Sequence, residues 1–381
     1  MSSKHPKIRA IISGGGTGGH IFPAIAIANA LTRMNPENEI LFVGARGRME
    51  MEKVPAAGYR IEGLDITGFQ RKMSLKNLLL PWRVLRSLWK SRRVIRKFSP
   101  DVIIGVGGYA SGPLLYVGTA MKIPALIQEQ NSYAGVTNRM LAKRVQRICV
   151  AYEGMERFFP AGKILLTGNP VREDISKKID RSDAKNHFHL RPDWKTVLVV
   201  GGSLGARTLN ESIAAGMDEL EKHKIQVIWQ TGKSYYETAS ELTKNRTNVH
   251  AHDFISAMNK AFTAADLIVS RSGASTVSEL AVAGCPAIFV PSPNVAEDHQ
   301  TANAMALVNK NAGLLVRDAE AREKLITRII ETTADTALLH RLSENIKRLA
   351  ITDAADRIAE EAYRLRPHMA HGHSFKMLVY A

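Results

Sequence analysis

Cysteine is nearly missing from this sequence. Cys149 and Cys285 are the only two, far apart and each in apolar surroundings. This excludes a disulfide framework and a cysteine-built metal site, and suggests free buried thiols in a reducing compartment. Aromatics are sparse at 6%, and no recognised nucleic-acid module is present, so a nucleic-acid partner is not expected. Acid is in short supply: 36 Asp and Glu face 52 Lys and Arg, a formal charge of +16. Such an excess favours an anionic partner. The apolar run after Lys4, Lys7 and Arg9 is too short for a signal peptide. Val102–Met121 is uncharged over twenty residues, but its five glycines and Pro113 argue for strand, loop and helix instead of a membrane span.

Glycine, by contrast, is concentrated. Ser13–Pro23 reads Ser-Gly-Gly-Gly-Thr-Gly-Gly-His-Ile-Phe-Pro, after an apolar run ending in Ile11 and Ile12 and before a helical pattern over Ala24–Leu31. Strand, glycine loop and helix make a phosphate cradle: N–H groups approach an anion closely, and the helix end adds about half a positive charge. Gly14, Gly16 and Gly19 fit G-x-G-x-x-G. A nicotinamide site would need an acid at the end of the second strand. Ile40–Val43 runs instead into Gly44, Ala45 and Arg46, which argues against NAD.

The chain then alternates short apolar runs with helical patterns. Strands are expected at Lys7–Ile12, Ile40–Val43, Val102–Val106, Ala125–Gln128 and Ile148–Val150. That alternation implies βαβ units, a parallel sheet, and ligands at the C-terminal ends of the strands. A second glycine run spans Gly105–Gly112. Between the two, Arg71–Lys97 carries ten basic residues and no acid. Leu78, Trp82, Leu85 and Trp89 recur at helical spacing there, beside Arg83, Arg86, Lys90, Arg93 and Lys97. A basic amphipathic helix with tryptophans suits an anionic membrane surface, and Leu79 joins the membrane-contact set; an ordinary helix with a buried apolar face is the alternative. Glu129 and Asn131 follow the fourth strand, where a cleft should be.

The theme restarts after a polar stretch, Arg172–Trp194, that reads as a linker. Thr196–Val200 leads into Gly201-Gly-Ser-Leu-Gly-Ala206, and further strands are expected at Gln226–Gln230, Val249–His252, Leu267–Ser270, Ala287–Val290 and Gly313–Val316. Two halves of this kind imply two Rossmann-like α/β domains facing across a cleft. In Ser270–Glu279 a strand ends, Gly273 turns the chain and a helix begins near Ser275. Free N–H groups there, with the hydroxyls of Ser272, Ser275 and Thr276, can hold a diphosphate, and Glu279 offers two acceptors to ribose hydroxyls. Capping alone would explain Ser275 or Thr276. Gln300 is a candidate reader of sugar hydroxyls.

Taken together, the motifs at Ser13–Ala24, Gly105–Pro113, Gly168–Arg172, Gly201–Ala206 and Arg271–Glu279, in that order over about residues 7–365, resemble the MurG family. The family has the glycosyltransferase B fold. Its members move N-acetylglucosamine from UDP-GlcNAc to undecaprenyl-diphospho-muramyl-pentapeptide in bacterial cell-wall synthesis. The resemblance implies donor contacts at Thr17, Gly18, Gly19, Asn131, Arg172, Ser203, Ile255, Ala274, Ser275, Thr276, Val277, Ser278, Glu279 and Gln300. Uracil would lie at Ile255, ribose at Glu279 and the sugar at Gln300. The acceptor diphosphate would lie at Gly14, Gly15, Gly16, Gly107, Gly108 and Tyr109. The family's pattern also has a final helix returning to the first domain, for which about 351–366 qualifies. Domains are thus expected at 1–170 and 171–350, followed by a tail from 367 to 381. Gln128 stands where the family often has histidine, and Thr301 where a second glutamine is common.

The expected chemistry is inverting transfer to the muramyl 4-hydroxyl, with His20 as base and Glu129 as second candidate. No Asp-x-Asp occurs in the chain, so neither metal nor cofactor is indicated. The place of work would be the cytoplasmic face of the cell membrane, peripherally. A UDP-GlcNAc epimerase would share the fold and donor but need no basic, tryptophan-bearing helix. A membrane-surface scaffold would keep that helix and have no use for Ser270–Glu279.

Overall fold

Apolar β-branched runs bounded by glycine loops assemble into two sheets, one in each half of the chain. The computed structural model describes residues 5–66, 80–202 and 205–366. The first sheet contains β1 (Arg9–Ser13), β2 (Glu39–Ala45), β3 (Arg60–Leu64), β4 (Val102–Gly105), β5 (Ala125–Glu129), β6 (Arg147–Val150) and β7 (Ile164–Leu166). Its order is β3-β2-β1-β4-β5-β6-β7. The second contains β8 (Lys195–Val200), β9 (Ile225–Gln230), β10 (Val249–His252), β11 (Leu267–Ser270), β12 (Ala287–Phe289) and β13 (Leu314–Leu315), in the order β10-β9-β8-β11-β12-β13. Every pairing is parallel. Helices cover both faces of each sheet, so central strands such as Ala10–Ser13 and Val197–Val200 are buried throughout and read as continuous apolar runs.

Four elements differ from the sequence reading. β3 and β7 are added at the first sheet's edges. The segment Arg172–Trp194 is not a linker: it folds into a short turn at Glu173–Ser176 and the helix Arg181–His187. Ile175, Ala184, Phe188 and Leu190 from it are buried in the second domain's core. The helix after the first glycine loop also starts earlier, at Gly18, and holds Pro23 inside it, so the Gly19 carbonyl receives no helical N–H from that residue.

The chain crosses between domains twice. It leaves the first after β7 and returns after Leu349, where the helix Ala354–Leu365 packs on the first sheet's helix Gly18–Met34. Ile358, Ala359 and Ala362 are fully buried there with Ile8, Ile27 and Leu31. Arg147 pairs with the half of this helix at Glu361, 3.3 Å away, and Asn38 donates to the Tyr363 hydroxyl at 2.6 Å. The crossings touch: a side chain at Gly168 (φ +79°) would place its Cβ 2.7 Å from that of Ile351. Arg33 ties them together, pairing with Glu173 on one and, at 2.7 Å, with Asp356 on the other.

Replacing Ile358 by alanine opens a cavity between this helix and the first sheet. Urea unfolding should show a loss of about 2–5 kcal/mol; an unchanged midpoint would mean that the helix contributes nothing to the first domain.

Candidate functional site

Two glycine loops follow adjacent strands, β1 and β4, and their backbones are in contact. A Cβ at Gly108 (φ +87°) would sit 2.4 Å from the Gly15 carbonyl oxygen. Gly107 lies against the His20 ring, whose Cδ2 would be 2.7 Å from a Cβ there. Glycine is therefore required for the loops to close on each other and on the imidazole. His20 stands in the first turn of the helix Gly18–Met34, half-buried, with Nδ1 3.1 Å from Thr17 Oγ1. Burial lowers its pKa below the usual histidine value; a hydrogen bond with the Gly15 backbone and the Glu50 charge oppose this, and His299 adds to it. The ring is thus neutral near pH 7, the form that accepts a proton.

The expected acceptor glycines divide. Gly14 and Gly15 are buried packing positions, against Val106 and Glu50. Gly16 is exposed, but its N–H already donates to Glu50 Oε2 at 2.9 Å. Gly107 is buried under His20, while Gly108 is partly open and Tyr109 is exposed. These three N-terminal glycines therefore shape the loop, and the amides left for an anion are those of Gly18 and Gly19, at the helix start.

Glu129 is corrected from base to loop anchor. It is 1% exposed and accepts from the N–H of Asn131 (3.0 Å) and of Gly135 (2.9 Å), and from the amides of Asn138 (2.9 Å) and Asn131 (3.3 Å). Burial raises its pKa, and those four bonds work against the rise. With its oxygens so engaged it has no face for a substrate proton.

Across the cleft, Gly273 caps the helix Ala274–Ala283. Val277 N–H bonds to the Gly273 carbonyl at 3.0 Å, so the N–H groups of Ala274, Ser275 and Thr276 precede the first helical bond. Ser275 Oγ is buried without a hydrogen-bond partner among the described residues. A Cβ at Gly19 would lie 4.0 Å from that oxygen. The starts of two helices, one from each domain, thus face each other across the cleft beside His20.

The remaining donor-site expectations are sorted by the same geometry. Val277 is 2% exposed and belongs to the core, so its side chain meets no ligand. Ser278 Oγ donates to Ala274 and accepts from Asn169 Nδ2, both at 3.0 Å; it fastens the domains. Glu279 accepts from Arg172 Nε at 2.9 Å, a pair that ties the start of the second domain's chain to its helix Ala274–Ala283. Burial raises the Glu279 pKa, and Arg172 opposes that rise. Gln300 Oε1 accepts from Ser292 N–H at 2.9 Å, which fixes the amide plane. Two left-handed residues, Glu297 (φ 55°) and Asp298 (φ 48°), precede it. Ile255 is buried, and its N–H goes to Gln230 Oε1 at 3.0 Å, leaving the carbonyl as its polar group. Arg271 pairs with Asp318 at 2.5 Å and donates to Val290 and Pro291, so its charge is used within the domain. Ser203, Leu78, Leu79 and the tail 367–381 lie outside the described residues.

Asn303 was not singled out by the sequence reading. It is fully buried: Oδ1 accepts from Ser132 N–H (2.9 Å) and Oγ (3.1 Å), and Nδ2 donates to Asn131 Oδ1 and the Ser272 carbonyl, each at 3.2 Å. Asn131 is thus engaged on both sides, by Glu129 and Asn303. Asn169 is a second such joint, bonded to Gln128, Gln130 and Ser278. The only signal in the sequence was asparagine itself, which is equally common in loops.

The helix Leu80–Phe98 presents Trp82, Leu85 and Trp89 outward, at 67%, 60% and 64% exposure. Its buried side is made by Ser87, Ser91, Val94, Ile95 and Phe98. The apolar stripe is therefore the free face, the reverse of an ordinary amphipathic helix. Arg93 lies over the Trp89 ring, and Arg86 is 3.6 Å from Asp65. Arg83 is in the same helix. Among the described residues no helix is long and apolar enough to cross a membrane.

Two family models match: the glycosyltransferase family 28 N-terminal domain over residues 10–150 and its C-terminal domain over 196–358. A Bacteroides fragilis protein named UDP-N-acetylglucosamine–N-acetylmuramyl-(pentapeptide) pyrophosphoryl-undecaprenol N-acetylglucosamine transferase is 54% identical over 363 residues, 94% of this chain and 96% of that one. A protein of the same name from Bacteroides thetaiotaomicron is 53% identical over 94% of this chain and 98% of its own. Among solved structures, Acinetobacter baumannii MurG superposes with a TM-score of 0.76 at 29% identity, covering 94% of this chain and all of that one.

Truncating Asn303 to alanine strands the buried Ser132 N–H. Unfolding in urea should show a loss of about 1–3 kcal/mol, and a double-mutant cycle with Asn131→Ala should be non-additive; strict additivity would dissolve the joint.

Proposed function

The chain belongs to glycosyltransferase family 28, in its MurG group, and we propose that it moves N-acetylglucosamine from UDP-GlcNAc to undecaprenyl-diphospho-muramyl-pentapeptide. The product is the lipid-linked disaccharide precursor of peptidoglycan. The observation that carries this reading is the meeting of two helix starts, at Gly18–Gly19 and Ala274–Thr276, beside a neutral histidine. One end suits the departing diphosphate of the donor, and the other suits anionic groups on the acceptor side.

In the transfer, the muramyl 4-hydroxyl attacks C1 of the sugar as its proton passes to His20. The bond from C1 to the phosphate oxygen breaks on the opposite face, and UDP leaves with the electron pair. The configuration at C1 inverts, giving a β-1,4 bond. The N–H groups of Ala274, Ser275 and Thr276 and the Ser275 hydroxyl receive the charge that develops on the diphosphate. Glu279 reaches ribose once Arg172 turns from it to the nucleotide phosphates. Gln300 offers its amide NH2 to the sugar, and the Ile255 carbonyl faces the base. Domain closure brings the acceptor hydroxyl into line and excludes water.

Trp82, Leu85 and Trp89 dock on an anionic bilayer at its cytoplasmic face, with the basic residues of the same helix against the headgroups. Each Lys or Arg held there contributes on the order of 1 kcal/mol. This places the first domain's glycine loops toward the lipid-linked acceptor.

UDP release from UDP-GlcNAc should require a lipid-linked muramyl acceptor; release or epimerisation without one would favour an epimerase. His20→Ala should cut turnover about 10²–10⁴-fold while donor affinity survives. Because burial holds the imidazole below its usual value of 6.5, the acid limb of kcat/KM should fall below that pH; a limb above it would remove His20 as the base. Trp82→Ala/Trp89→Ala protein should no longer pellet with anionic vesicles at low salt, whereas the parent should; pelleting of both would end the docking assignment.

A further inference from the structure

Glu50 sits behind the reacting groups and plays no part in the steps above. It opens the helix Glu50–Ala56 after β2 and turns back into the domain, where it is fully buried. Oε1 accepts from Ala45 N–H and Oε2 from Gly16 N–H, both at 2.9 Å. The space for its carboxylate exists because two neighbours are glycine. A Cβ at Gly15 would lie 2.2 Å from Oε1, and one at Gly44 would lie 2.5 Å from Cγ. No Lys or Arg pairs with it among the described residues. A buried carboxylate without a cationic partner is costly, and two backbone donors offset only part of that cost. The titratable ring on the same loop is His20.

We propose that Glu50 is a positioning residue for the transfer: it clamps the Gly14–Thr17 loop to the end of β2 and stabilises the imidazolium that forms on His20 as the acceptor hydroxyl loses its proton. This rests on the reading of His20 as the base. The groups acting on that ring are the Thr17 hydroxyl and Gly15 backbone from its own loop, Gly107 packed against it from the loop after β4, and the charges of Glu50 from beyond β2 and His299 from the second domain. Glu50 is the acid in that set, and its charge raises the ring's proton affinity while that of His299 lowers it. The carboxylate thus does for a neutral imidazole what a buried acid does behind the histidine of a hydrolytic triad, at longer range. It also fixes which amides of the loop stay available, since Gly16 N–H points inward to Glu50 and those of Gly18 and Gly19 do not.

The test uses full-length protein carrying Glu50→Gln, Glu50→Asp, His20→Ala, and Glu50→Gln with His20→Ala. UDP release with the lipid acceptor is followed against pH, and UDP-GlcNAc affinity is measured by calorimetry. Glu50→Gln should lower kcat about tenfold or more and move the acid limb of kcat/KM to lower pH, with donor affinity within about twofold. Glu50→Asp keeps the charge, so its acid limb should stay at the parent's position whatever its kcat. In the His20→Ala background the Glu50→Gln change should cost little further, because the ring it serves is gone. An unmoved acid limb in Glu50→Gln, or an equal loss with and without His20, would overturn the proposal. Should Glu50→Gln fail to fold, a displaced limb in Glu50→Asp would overturn it. Parent-like turnover in His20→Ala is a separate result: it would remove the base itself.

Discussion

Two positive helix ends held face to face, Gly18–Gly19 against Ala274–Thr276, are the arrangement on which the rest of this molecule depends. Each carries about half a unit of positive charge on amides that make no helical bond. Such ends repel unless something negative lies between them, and Ser275 Oγ at the junction lacks a partner among the described residues. The parallel sheets exist to aim them: every strand in both domains runs the same way, so all loops that follow strands open on one side. Facing those two sides across a cleft turns a pair of weak anion sites into one strong one.

Holding the ends in place falls to polar side chains, beside the apolar contact that Tyr152 makes with the second domain's core. Asn303 and Asn169 bridge the domains by hydrogen bonds, and Arg139–Glu297 adds an ion pair. A hydrophobic interface of the same size would be slower to part, because water could not replace its contacts. Amide and carboxylate joints exchange partners with water or ligand at small net cost. Arg172 and Glu279 illustrate this: each satisfies the other here, and both keep part of their surface open to solvent.

Much of this was legible in the residues. Alternating apolar runs and glycine loops marked both domains, and the turn at Gly273 marked the second helix start, whereas the first begins at Gly18, six residues before the expected Ala24. β3 escaped because Arg60-Ile-Glu-Gly-Leu has no apolar run; it lies outside β2 with one face toward solvent, and only Gly63 and Leu64 are buried. β7 is three half-exposed residues at the other edge. Arg172–Trp194 read as a linker because its apolar residues are widely spaced among charges, yet tertiary packing buries Ile175, Ala184, Phe188 and Leu190. Glu129 and Glu50 were invisible as buried anchors for a different reason. A carboxylate in sequence does not reveal whether backbone amides will close around it, and both lie where two loops meet. The stripe at Trp82, Leu85 and Trp89 was visible as periodicity, but which side faced water depended on Ser87 and Ser91 being small enough to pack.

The touching crossings at Gly168 and Ile351 set the mechanics of the whole. Both covalent ties pass through one narrow region, so relative travel of the lobes grows with distance from it. Small torsional changes at a few residues there become wide excursions at the far rim, while groups beside the pivot hardly stir. Arg33, gripping both strands of that pivot, limits how freely one can slide past the other. The molecule is built as a pair of jaws, joined where the backbone crosses twice.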